Sequence, residues 1–157
     1  MRDFKFNKVI PRPKIFDHII SGSINIGKSN CSNWVDVGKG KNRISIPVDT
    51  SIVLEAYGYK DWYEWNNANW GTKWDIDEKE LTMHHMDNII WVSFDSAWSP
   101  PRFVIERLAE LYPKTVITHY FEESGMDFAG TDFYEYGVLV NQEIGDYPQQ
   151  DNGEEVE

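Results

Sequence analysis

The sequence predicts an α+β fold, a mainly antiparallel sheet with helices on one face. Three observations lead there. Segments follow in the order strand, helices, strand, helix, strand, strand, without the steady strand-helix alternation of a parallel sheet. The run Asn88-Ile89-Ile90-Trp91-Val92-Ser93-Phe94-Asp95 has strong strand character, and Phe103, Val104, Leu108 and Leu111 recur at helical spacing, giving a helix with one apolar face to lay on a sheet. A chain of 157 residues suits a single domain, expected over residues 1–144, with a flexible acidic tail over 145–157 that has too few apolar groups to order itself.

Taken in order, Phe4 to Ile10 alternates apolar positions and stops at Pro11-Arg12-Pro13, which predicts an opening strand. Residues 21–43, rich in Gly, Ser, Asn and Lys, read as an irregular basic excursion, with Trp34-Val35-Asp36-Val37 as one short strand. Asp49-Thr50-Ser51 caps a helix over about 51–59, and a second short helix follows toward Asn69. Glu80 to His84 and Asn88 to Asp95 make two strands joined by Met86-Asp87-Asn88, with Trp91 in the core. Ser99 caps the main helix, with prolines in its first positions, where a missing N–H costs nothing. Lys114 to Glu122, Met126 to Thr131 and Phe133 to Val140 complete the fold as strands.

The net charge of −11 is unevenly placed: residues 1–60 sum to +5 and residues 61–157 to −16. An acidic field repels phosphate backbones, so direct duplex nucleic-acid binding is not expected, and a basic protein surface is the better partner. No apolar stretch approaches the roughly 20 residues of a membrane helix. Cys31 is the only cysteine, which suits a reducing cytoplasm, and Met1-Arg2-Asp3-Phe4-Lys5 lacks the apolar segment of an export signal.

Four blocks stand out: Phe6-Asn7-Lys8-Val9-Ile10-Pro11-Arg12-Pro13, Asn69-Trp70-Gly71-Thr72-Lys73-Trp74-Asp75, Ala97-Trp98-Ser99-Pro100-Pro101 and Gly125-Met126-Asp127-Phe128-Ala129-Gly130. In these blocks the chain resembles the YubB ferredoxin-like domain family, carried on conjugative plasmids and bacteriophages. The resemblance implies a ferredoxin-like sandwich and a mobile-element origin, hence a bacterial host cytoplasm, and it implies no activity. The stretch from Ser21 to Arg43 and the acidic tail depart from it.

Few motifs suggest chemistry. Gly22-Ser23-Ile24-Asn25-Ile26-Gly27-Lys28-Ser29 matches the phosphate-binding loop pattern, in which glycine N–H groups cradle phosphates, Lys28 reaches them and Ser29 holds Mg²⁺. Such a loop must enter a helix, and Asn30 to Gly40 is a poor helix former, so a basic loop is the plainer reading. His84 and His85 point to opposite faces of a strand and cannot share a metal. No acid, base and nucleophile assemble, so neither an enzyme, a cofactor nor a metal is expected.

Six of the seven tryptophans lie between Trp62 and Pro101. Trp70, Trp74 and Trp98 either fill the core or, beside Lys73, form a contact surface. Together with Asp75, Asp77 and Glu78 they are the candidate binding residues, and the carboxylates of these three and of Glu80 would imitate phosphates. The expected function is binding of a host protein, as an acidic inhibitor of a host nuclease or defence system; the alternative is binding or sequestering of a small nucleotide.

Overall fold

The computed structural model describes residues 4–26 and 29–148, and the chain divides into two units between Val104 and Ile105. The first contains α1 (Phe6–Val9), β1 (Ile20–Ile26), β2 (Ser29–Val37), β3 (Ile44–Pro47), α2 (Ser51–Tyr57), α3 (Trp62–Trp70), β4 (Thr82–Met86) and β5 (Ile89–Ser93). The division falls inside α4 (Arg102–Leu111), and β6 (Ile117–Glu123), β7 (Phe128–Glu135) and β8 (Val138–Gly145) belong to the second. Strands pair as β1-β2-β3, β4-β5 and β6-β7-β8, every pair antiparallel. The α+β class and its antiparallel pairing are as expected.

The opening strand is a correction. Phe6 to Val9 form a short helix, because a remote side chain supplies the acceptor that its first N–H groups lack. Asp75 Oδ1 accepts from Phe6 N at 2.6 Å and Oδ2 from Asn7 N at 3.2 Å, while Lys5 Nζ donates to Ile76 O at 2.6 Å. Alternating Phe4 and Phe6 suggested a strand, but a cap supplied from 69 residues away is invisible to local pattern. The Asp75→Ala variant loses these charge-assisted acceptors and is expected to be about 1–3 kcal/mol less stable in denaturant titration.

Residues 21–43 also differ from expectation. They fold into most of a three-stranded sheet, with Ile20 opposite Trp34, Ile26 opposite Ser29, and Trp34 to Val37 opposite Pro47 to Ile44. Low strand propensity is offset by pairing on both sides of β2. Gly27 and Lys28 lie outside the described residues; Ser29, the third phosphate-loop candidate, opens a strand, so the helix that motif requires is absent.

The two helices before Gly71 form where expected. Asp49 Oδ1 accepts from Ser51 N at 3.0 Å at the start of α2. That bond holds the Asp49 carboxyl below its usual range, so its contribution is present above the ordinary carboxylate pKa and lost as pH falls through the folded one. Asp61 caps α3 through Glu64 N at 2.9 Å. The core of the first unit gathers Phe6, Phe16, Trp65, Trp70, Ile76, Leu81 and Val104.

The β4-β5 hairpin turns at Asp87-Asn88 as predicted, but Trp91 is 61% exposed rather than in the core. From β4 only Met83, and just past β5 Phe94, pack against the core cluster. In the second unit, Ile105, Ala109 and Tyr134 form the core, with Ile117 packed against it. The break expected at Asp132 lies instead at Tyr136-Gly137, both with positive φ. Asp132 is fully buried mid-strand, 3.3 Å from His119 Nδ1 on β6, and accepts from Gln142 Nε2 on β8 at 2.6 Å.

Candidate functional site

Three of the four sequence blocks bond to one another around the end of α3. Trp70 is 1% exposed and donates its indole N–H to Ile10 O at 2.9 Å. Gly71 then takes φ +83, which reverses the chain, and a Cβ there would stand 3.2 Å from Pro100 O. Thr72, fully buried, donates Oγ1–H to Ala97 O at 2.8 Å, and Ser99 donates its hydroxyl to Gly71 O. Ser99 therefore latches the loop before α4 and does not cap that helix, a further correction. A further bond from Ser96 Oγ to Ser99 O, at 2.9 Å, closes the loop on itself.

Trp98 sits inside this latched loop with φ +68, a left-handed backbone that costs a non-glycine residue about 1–3 kcal/mol. Its side chain is 74% exposed. Such strain persists only where surrounding bonds over-determine it, and the bonds of Thr72, Ser96 and Ser99 do so here. The result is a large ring presented to solvent from a fixed backbone.

Trp98 lines an open cleft of about 860 Å³ with Trp74, Ser96, Ala97 and seven charged side chains: Lys5, Asp75, Asp77, Glu78, Lys79, Glu80 and Asp95. The carboxylates differ in freedom. Asp75 is saturated by N–H donors from Phe6, Asn7 and Ile76. Glu78 stands 3.6 Å from Lys5 Nζ, and Asp77 accepts from Lys79 N at 3.0 Å. Glu80 and Asp95 are exposed and, among the described residues, have no ion-pair partner.

The candidate residues thus separate by role. Trp74, Asp75, Asp77, Glu78 and Trp98 meet at one cleft; Trp70 does not, being a core ring between Phe6 and Trp65. Asp75 lines the cleft but serves α1, which removes it as a phosphate mimic. Lys73 is not in the cleft lining: its ammonium lies 4.1 Å from the Trp74 ring centroid and 5.9 Å from that of Tyr63. Sequence reasoning missed Lys5, which joins through contacts 71 residues away, and placed Asp95 only at the end of a strand. Among the described residues no group of three His, Cys, Asp or Glu side chains is placed to hold a metal ion, and no helix is long and apolar enough to cross a membrane.

Residues 69–157 match the model of a family described as a ferredoxin-like domain in Api92-like protein. Over 80 residues the chain is 32% identical to the uncharacterized protein YubB of Escherichia coli (strain K12), a match covering 50% of this chain and 54% of that protein. The match thus spans about half the length of that relative. No solved structure matches.

Proposed function

Because the chain belongs to the family of ferredoxin-like domains in Api92-like protein, and that fold carries no chemistry by itself, we propose a role read from its cleft: a non-enzymatic interaction protein that binds a basic segment of another protein. The observation that carries this reading is Trp98, exposed on a strained backbone beside unpaired carboxylates. Tryptophan is enriched among interface hot spots, and a lining of five carboxylates against two lysines selects a basic partner. Residues 61–104, which supply all of the cleft lining but Lys5, hold eight Asp/Glu against three Lys/Arg, the same polarity. The proposal extends to a phage or plasmid protein acting in the bacterial host cytoplasm, where a nuclease or defence protein with a basic groove is a fitting target.

Trp98→Gly tests it. Glycine takes φ +68 without penalty, so the thermal midpoint of the variant is expected to match or exceed that of the parent chain. Capture of a stoichiometric partner from host lysate at physiological salt is expected to fall at least about tenfold, as loss of an interface anchor implies. Undiminished capture by the variant, or no partner for the parent, would sink the reading. Nucleotide sequestration is the alternative; free carboxylates in the cleft oppose phosphate, so mono-, di- and cyclic nucleotides are expected to leave the melting temperature unchanged.

A further inference from the structure

Resting on that reading, we infer that the cleft selects arginine: its ligand is a guanidinium side chain of the bound segment, laid on Trp98 and forked onto Glu80 or Asp95.

The two indoles of the cleft are not equivalent. Trp74 already holds a cation, the Lys73 ammonium 4.1 Å from its ring centroid, offered by a residue outside the cleft lining. The backbone of Lys73 is held in turn, since its carbonyl accepts from the buried Asn66 Nδ2 at 2.7 Å. This internal pair steadies Trp74 as a wall and leaves its electron-rich ring already satisfied. Trp98 is the opposite case: among the described residues no cation or aromatic ring stacks against it.

An open indole face that shares one cleft with two unpaired carboxylates lacks a group that is at once flat, cationic and rich in N–H donors. Guanidinium meets all three conditions, stacking on the ring while donating two parallel hydrogen bonds to one carboxylate. An ammonium is a strongly hydrated point charge without a plane to stack, and it gains less from the ring. A phosphate or carboxylate ligand would meet like charge from Glu80 and Asp95.

The test is a titration of ¹⁵N-labelled full chain with two acetylated pentapeptide amides, Gly-Arg-Gly-Arg-Gly and its lysine counterpart. The arginine peptide is expected to shift the Trp98 indole N–H resonance and to bind at least about tenfold tighter than the lysine peptide. Trp98→Gly and the Glu80→Gln, Asp95→Asn double variant, both surface changes, are each expected to abolish that preference. Equal binding of the two peptides at the cleft would overturn arginine selection and leave the basic-segment reading standing. Binding of neither would overturn both, and an arginine preference that survives in Trp98→Gly would overturn the assignment to this ring.

Discussion

Trp70→Ala is expected to destabilise the first unit by about 3–5 kcal/mol, the range for removing a fully buried aromatic. Its ring meets Trp65 edge-on at 5.6 Å and Phe6 at 6.0 Å, and the Arg12 guanidinium lies 5.7 Å from its centroid. Alanine would leave a cavity among these groups and strip Ile10 O of the indole N–H it accepts. Trp70→Phe keeps part of the volume but not the N–H, so an intermediate loss is expected. Denaturant titration followed by far-ultraviolet circular dichroism measures both. A loss under 1 kcal/mol for the alanine variant would show that this ring is not the hub of its core. With typical domain stabilities of about 5–15 kcal/mol, the expected loss is a large share of the whole.

Gly130→Ala has the second large effect, in the other unit. A Cβ at Gly130 would stand 2.5 Å from Phe121 Cζ and 2.8 Å from Glu143 O. The ring can swing aside, but the carbonyl belongs to β8 and moves only with that strand. Overpacking of this kind costs about 1–3 kcal/mol. Adding Phe121→Ala to Gly130→Ala is expected to relieve the ring clash and leave the strand clash, so the double variant should not regain what the glycine provided. Amide hydrogen exchange is the informative readout, since lost protection should concentrate in β7 and β8. Protection unchanged from that of the parent would refute the clash.

Much of this architecture was legible in the sequence, and each failure has a physical cause. Caps and turns carried by adjacent residues were found: Asp49 before α2 and the Asp87-Asn88 hairpin, whereas the prolines expected in the first positions of α4 lie just ahead of it. What depended on distant partners was not. Phe4 to Ile10 looks like a strand until Asp75 is present to cap it. Ser21 to Arg43 misled differently: its pairing is local, Ile26 opposite Ser29 and Val37 opposite Ile44, but its Gly, Ser, Asn and Lys content carries little strand signal. Asp132 resembles a turn residue because sequence shows its charge and not its buried partners. The candidate site was half visible. Its aromatic and acidic residues are conspicuous by type, but whether a tryptophan is core or surface depends on what folds over it, which separated Trp70 from Trp98.

The row of His119, Asp132 and Gln142 across β6, β7 and β8 bears on how this sheet avoids misassembly. Apolar residues tolerate a strand displaced by two positions, because the same face stays greasy. A buried carboxylate does not. Displacing β6 or β8 by two residues would carry His119 or Gln142 away from Asp132 and deprive a fully buried acid of that partner. The three side chains therefore favour one strand alignment: a sheet mispaired by two residues that still satisfies the hydrophobic pattern is penalised by the loss of these bonds.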